Sequence, residues 1–167
     1  MKGQAMKRAK EINERTRVSE LLPFLKERKL PLINEKANIE KVIKAMVHCK
    51  QNRLLYVVDG KGKLTGTISL GVLVKHTFSQ SHEPQIHARF FTSMITTETA
   101  EDIMQKNPVA TTEEEEIGIV FSRMIKTNVK EIPVLDIEKR VIADLTMVDL
   151  LEFLIDTGET EQLSGQS

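Results

Sequence analysis

The chain has 167 residues, of which 40% are hydrophobic and 29% charged, a composition ordinary for one compact domain or two small joined ones. Lysine and arginine number 24, as do aspartate and glutamate, and the resulting net charge of zero argues against electrostatic adhesion to nucleic acid or an anionic membrane. No apolar run approaches the roughly 20 residues of a membrane span, and the first residues lack the apolar stretch of a secretory signal. The single cysteine, Cys49, favours a cytoplasmic location.

The first half of the chain predicts a helix, an extended segment, a helix, a hairpin and a closing helix. Apolar spacing and strand-forming residues place these elements at residues 18–25, 30–33, 39–48, 54–58 with 64–68, and 71–78. Gly60 and Gly62 lie in the turn of the hairpin, where glycine tolerates the positive φ that tight turns need. The mixed-charge residues 1–17 before them are interpreted as an N-terminal arm.

The linker between the two halves, residues 80–99, is predicted to be helical from the spacing of Ile86, Phe90 and Met94. Three of the four histidines lie in or beside it, at positions 76, 82 and 87, but their spacing matches no compact metal motif. We therefore predict no metal site. Thr97 or Thr99 is expected to cap the next helix.

The second half repeats the elements of the first. A shift of 77 residues places residues 55–59 on residues 132–136, and Ser69 on Thr146. A shift of 78 aligns the preceding helices. The second copy is predicted to contain a helix over residues 100–105, an extended segment over 108–111, a helix over 115–126, strands over 131–135 and 141–145, and a helix over 147–156. Its hairpin lacks glycine and is expected to be looser, and residues 158–167 form a polar tail.

Thr146 and Asp149 are the residues of greatest interest because they lie where the last strand becomes a helix. A threonine at a helix cap and a carboxylate three residues on form a capping box. The same pair at a helix N-terminus also suits a phosphate and a ribose. Both interpretations stay open from the residues alone.

The repeated pattern resembles the CBS (cystathionine-β-synthase) domain, which occurs in tandem as a Bateman module. It is carried by the apolar–Pro–Val–apolar–Asp segment at residues 132–136, the hairpin, and the closing Thr-x-x-Asp-Leu-Leu at residues 146–151. The resemblance covers about residues 18–157, as repeats at 18–79 and 100–157 in a stand-alone pair of bacterial or archaeal type. The first copy departs from the pattern at Tyr56 and Val72, which replace the proline and the aspartate.

The resemblance implies an α/β (α+β) fold of two β-α-β-β-α repeats, packed about a pseudo-twofold axis with two equivalent clefts. In members that bind adenosyl nucleotides, the closing aspartate contacts the ribose and the serine or threonine lies near phosphate. This assigns ligand binding in one cleft to Thr146 and Asp149. The other cleft, with Gly66, Ser69 and Val72, is expected to be degenerate because valine cannot hold a ribose. The remaining ligand-binding residues implied by the resemblance are Ile33, Asn34, Ala37, Arg53, Leu54 and Lys130.

Two functions follow as hypotheses. The first is a regulatory module that senses AMP, ATP or S-adenosylmethionine, and the second is a module with vacant clefts that mediates dimerisation or protein interaction. Under either, the resemblance implies a homodimer, and the target of regulation is expected to be another polypeptide. No catalytic residues are expected, since no nucleophile–base pair is found. No nucleic-acid or membrane partner is expected either.

Overall fold

The structure is a computed structural model that describes residues 15–25, 27–49, 53–79 and 97–153. The predictions for most of the N-terminal arm, for the linker helix with His82 and His87, and for the C-terminal tail fall outside these residues. The described elements, in chain order, are α1 (Val18–Leu25), β1 (Leu32–Asn34), α2 (Ile39–His48), β2 (Leu54–Val58), β3 (Leu64–Ser69), α3 (Leu70–Ser79), α4 (Ala100–Ile103), β4 (Gln105–Lys106), β5 (Thr111–Thr112), α5 (Ile117–Thr127), β6 (Glu131–Leu135), β7 (Val141–Thr146) and α6 (residues 147–153, the described part of the last helix).

The predicted order β-α-β-β-α is confirmed in both copies, and most bounds agree within two residues. Two details were wrong. The helix α4 does not extend to Gln105. Gln105 lies instead in β4, where it pairs with Thr67 of the antiparallel strand β3. Glu115 does not open α5, because residues 113–115 form a turn and bend, and Glu116 after them is extended and bridged to Arg17.

The chain divides into two compact units. The first unit comprises residues 29–108 and 137–141, and its sheet has the strand order β1-β2-β3-β4. The β1–β2 pair is parallel and the other two pairs are antiparallel. Leu55, Tyr56 and Val57 in β2 are fully buried, as expected of a strand covered on both faces. The helix α2 packs Val42 and Met46 into the same core.

The second unit contains, among the described residues, 15–28, 109–136 and 142–153, and its sheet has the order β5-β6-β7. Its core is formed by apolar side chains from α1, α5, β6, β7 and α6. The fully buried members include Leu21, Val120, Met124, Val134 and Leu145.

The opening helices are exchanged between the repeats. The helix α1 precedes the first copy in sequence, but its Val18 N–H donates to the Glu115 carbonyl (2.9 Å) in the second unit. Conversely, α4 opens the second copy, but its Ala100 N–H donates to the Ala37 carbonyl (2.8 Å) in the first unit. Each unit therefore consists of one repeat's sheet and the other repeat's opening helix.

The duplication is confirmed by matching contacts. Ile33 is opposite Val57 in the first sheet, and Thr111 is opposite Val134 in the second. The N–H of the first residue after the closing strand donates to the chain before the hairpin in both copies. These bonds join Leu70 to the Arg53 carbonyl and Met147 to the Lys130 carbonyl, each at 2.8 Å.

The two hairpin turns share a left-handed residue at matching positions. Gly62 has a φ of +79° and Lys139 a φ of +65°. The second turn lacks glycine, yet it keeps this conformation, and the Lys139 carbonyl accepts a hydrogen bond from Leu64 N–H (3.0 Å). The cost of lacking glycine is thus backbone strain at Lys139.

Replacing Lys139 with glycine is expected to raise the free energy of unfolding by about 0.5–1 kcal/mol, because relief of strain exceeds the added entropy of the unfolded chain. The control, Gly62→Ala, should lower it by a similar amount, since only Arg140 Cγ lies near the added Cβ, at 4.0 Å, and strain dominates. Urea denaturation measures both. A Lys139→Gly variant that is no more stable than the parent would contradict this interpretation.

Candidate functional site

The end of β7 brings Thr146 and Asp149 together. The Asp149 Oδ2 atom accepts hydrogen bonds from the Thr146 N–H (2.8 Å) and the Thr146 hydroxyl (2.7 Å). In return, the Asp149 N–H donates to Thr146 Oγ1 (3.2 Å). The predicted capping box is therefore confirmed. Asp149 is only 4% exposed, so its carboxylate lies in a place where charge requires compensation.

That compensation comes from Arg28, in the segment just after α1. Its Nη1 donates to Asp149 Oδ2 (3.0 Å), and its Nη2 forms an ion pair with Asp149 Oδ1. The fork of the guanidinium matches the two carboxylate oxygens. The Arg28 side chain is 39% exposed, while that of Asp149 is 5% exposed.

Further acidic groups surround this arginine. The hydrogen bond to Asp149 raises the pKa of Arg28, and the charges of Asp149, Asp144 and Glu152 act in the same direction, while burial opposes them. Asp144 lies in β7 and is 2% exposed, and Glu152 lies in α6. The site is thus acidic, with Arg28 as the cation directly bound to its buried carboxylate.

Lys130 lies close to Thr146 in the same unit, because its carbonyl accepts a hydrogen bond from the N–H of the next residue, Met147 (2.8 Å). Its ammonium donates to Asn128 Oδ1 (3.0 Å), and Asn128 has the left-handed conformation (φ +55°) that ends α5. Of the predicted ligand-binding residues, Thr146, Asp149 and Lys130 therefore belong to the second unit.

The other predicted ligand-binding residues belong to the first unit. Ile33 and Asn34 lie in β1, where Asn34 Oδ1 accepts the Lys36 N–H (2.9 Å) in a local turn. Ala37 is buried, and its carbonyl binds α4. Arg53 is exposed at the start of β2, and Leu54 is half-buried in it. Their role in ligand binding stays a prediction.

The first copy's equivalent of the Thr146–Asp149 pair lacks a carboxylate. Ser69 Oγ accepts the Val72 N–H (3.2 Å), which caps α3 through a neutral group. Gly66 lies beneath α4 and β4, where an added Cβ would lie 2.5 Å from Met104 Sδ and 2.9 Å from the Gln105 carbonyl oxygen. Glycine is thus required at this position because Met104 and Gln105 approach the backbone closely.

One polar network in the second unit was not predicted. Arg123 of α5 donates through Nη1 to Glu115 Oε2 (2.9 Å) and to the Ala110 carbonyl (2.9 Å), and through Nη2 to Glu115 Oε1 (2.5 Å). The buried Thr111 hydroxyl also donates to Glu115 (2.8 Å). Chiefly through the Arg123 bonds, the pKa of Glu115 is lowered. This network holds the start of β5 against α5.

Neither a metal site nor a membrane segment is found in residues 15–25, 27–49, 53–79 and 97–153. These residues contain no group of three or more histidine, cysteine, aspartate or glutamate side chains placed to hold a metal ion. His76, in α3, instead pairs with Glu98 (3.0 Å) in the first unit. Among the same residues, no helix combines the length and apolar character needed to cross a membrane.

Comparison with known proteins agrees with the repeated fold. The family model described as "CBS domain" matches residues 17–77 and 100–156. No curated protein sequence matches the chain.

Three solved structures illustrate the similarity of fold. A CBS domain-containing protein from Thermotoga maritima aligns with a TM-score of 0.63 and 23% identity, over 83% of this chain and 94% of that chain. The CBS domain pair of protein MJ0100, in complex with 5′-methylthioadenosine and S-adenosyl-L-methionine, has a TM-score of 0.61 and 24% identity, over 83% and 95%. CBSX2 in complex with AMP has a TM-score of 0.63 and 17% identity, over 81% and 95%.

Proposed function

The chain belongs to the CBS domain family, with the domain present twice in tandem, and we propose that it is a regulatory module sensing an adenosyl nucleotide of the AMP, ATP or S-adenosylmethionine type. The observation that carries the proposal is the buried carboxylate of Asp149 beside the Thr146 hydroxyl. MJ0100 and CBSX2, which are similar in fold, were each solved with adenosyl ligands. The proposed role is regulation in the cytoplasm rather than catalysis.

In this proposal, Asp149 accepts hydrogen bonds from the ribose hydroxyls, and Thr146 and Lys130 lie toward the phosphate or other 5′ group. A carboxylate has about four lone-pair positions and can accept two hydroxyl donors at once. Val72 offers no such acceptor in the first copy. The proposed module therefore binds one nucleotide per chain.

Thermal denaturation with AMP, ATP or S-adenosylmethionine tests this function. A ligand at 100 times its dissociation constant adds about 2.7 kcal/mol to stability, which corresponds to a rise of several degrees in Tm. The Asp149→Ala variant should lose that rise.

The matched control is Asp102→Ala. Asp102 also accepts the N–H of a threonine three residues before it, Thr99 (2.7 Å), but belongs to the first unit. Its replacement removes a similar cap and should leave the ligand-induced rise intact. If none of the three ligands raises Tm, or Asp149→Ala keeps the rise, this function is wrong.

The second candidate is a dimerisation or protein-interaction module, and it is favoured by exposed apolar side chains. Leu70, Val74 and Phe78 are 38%, 44% and 45% exposed and follow one another at four-residue spacing along α3. In the second unit, Val148 and Leu151 are 61% and 51% exposed. Exposed apolar surfaces of this kind are typical of sites that bind another protein.

We propose a homodimer under both functions. Sedimentation at tens of micromolar should therefore report twice the chain mass, and a monomer would contradict it. A dimer that no adenosyl ligand stabilises would favour the second candidate.

A further inference from the structure

Both oxygens of the Asp149 carboxylate are bound by this chain's own donors. Oδ2 accepts from the Thr146 N–H, the Thr146 hydroxyl and Arg28 Nη1, and Oδ1 pairs with Arg28 Nη2. Three donors therefore face Oδ2, which has about two lone-pair positions, and one donor faces Oδ1. Since Asp149 is 4% exposed, a ribose that uses both oxygens must displace a bound donor.

Arg28 is the donor that can leave. The Thr146 groups are three residues away in the chain and belong to the capping box, which also uses the Asp149 N–H. Arg28 is instead 39% exposed and lies in an irregular segment between α1 and β1. Water can therefore replace the carboxylate at the guanidinium, whereas the buried carboxylate takes the ribose hydroxyls as its new partners.

The freed guanidinium would keep favourable surroundings. The charges of Asp144 and Glu152 already act on Arg28, and Glu152 lies in an exposed position on α6. Displacement from Asp149 therefore does not leave a buried cation without acidic neighbours. The exchange costs less than the separation of a fully buried pair.

We propose that Arg28 is an internal competitor for the ribose site: its guanidinium occupies the Asp149 carboxylate and must be displaced when an adenosyl ligand binds. This inference rests on the proposed function and adds a residue that weakens binding. Arg28 lies three residues after the last residue of α1, Leu25, so ligand binding would also release the segment that follows this helix from Asp149. The competition thus gives ligand occupancy a structural consequence within the second unit.

Titration of adenosine and AMP into the full chain tests the competition. Adenosine is the decisive probe because it has the ribose hydroxyls but no phosphate for Arg28 to contact directly. The variant Arg28→Met keeps an unbranched apolar stem but cannot pair with Asp149. Its dissociation constant for adenosine should fall by about fivefold, the scale of a half-exposed ion pair.

Two further variants complete the design. Arg28→Lys keeps the charge but cannot form the two-pronged bond, so its dissociation constant should fall between those of the parent and Arg28→Met. It also serves if Arg28→Met fails to fold. Asp149→Asn should abolish binding in every background.

The outcomes separate the two claims. Tighter adenosine binding by Arg28→Met, or binding seen with that variant but not with the parent, supports the competition. If AMP binding depends on Asp149 but adenosine binds Arg28→Met no more tightly than the parent, the competition is wrong and the proposed function stands. If neither adenosine nor AMP binds the parent or Arg28→Met, the competition is wrong, and the proposed function is wrong as well if ATP and S-adenosylmethionine also fail to bind.

Discussion

Replacing Leu21 with alanine is expected to lower the free energy of unfolding by about 2–5 kcal/mol, the range for a buried leucine truncated in a core. Leu21 is fully buried in α1 and belongs to the core of the second unit, with Val120 and Met124 of α5. The loss should exceed that of any exposed substitution because a cavity remains. Urea denaturation measures the change.

The same variant tests the exchange of helices. Since α1 packs in the second unit, amide hydrogen exchange should accelerate more in α5 than in α2, although α2 belongs to the repeat that α1 precedes in sequence. Val47→Ala is the control, because Val47 is 62% exposed and should change stability by about 0.5 kcal/mol or less. Faster exchange in α2 than in α5 would contradict the exchanged arrangement.

Gly66→Ala is expected to be the second large effect, with a loss of about 1–3 kcal/mol, as found when a packed core receives extra volume. The added Cβ would lie 2.5 Å from Met104 Sδ and 2.9 Å from the Gln105 carbonyl oxygen. The methionine can move, but the backbone oxygen is held by the β3–β4 pairing. Strand displacement is therefore needed to make room.

Gly60→Ala is the matched control, because nothing lies within 4 Å of its added Cβ. It should be close to neutral in the same denaturation measurement. Combining Gly66→Ala with Met104→Ala should remove only the side-chain part of the clash. If Gly66→Ala alone is as stable as the parent, the close packing of β4 on β3 is wrong.

The sequence predicted the local elements well because their signals are local. The bounds of α1, α2, β2 and β6 agree with the prediction, since apolar spacing and turn residues determine where such elements begin and end. The capping box of Thr146 and Asp149 was likewise predictable from a three-residue spacing.

The contacts that distinguish this chain were not predictable in the same way. Arg28 and Asp149 are 121 positions apart, and nothing in the spacing of either residue indicates a partner at that distance. The exchange of α1 and α4 is also invisible to local rules, because the same apolar helix can cover either repeat's sheet. Pairing between distant residues requires the folded chain.

Gly66 shows how one pattern residue can have more than one explanation. The position is occupied by Gly66 in the first copy and by Ala143 in the second. In the structure, Gly66 is in contact with the exchanged segment at Met104 and Gln105, whereas Ala143 is fully buried in the second core. The residue type at this position therefore follows from packing in the described chain.

Isothermal titration of the full chain with AMP, ATP and S-adenosylmethionine tests the central claim most directly. We predict that at least one of them binds with one molecule per chain, and that Asp149→Ala removes the binding while Asp102→Ala preserves it. Binding that survives Asp149→Ala, or no binding of any of the three, would contradict a nucleotide site at Thr146 and Asp149, and two molecules per chain would contradict the loss of the first copy's site.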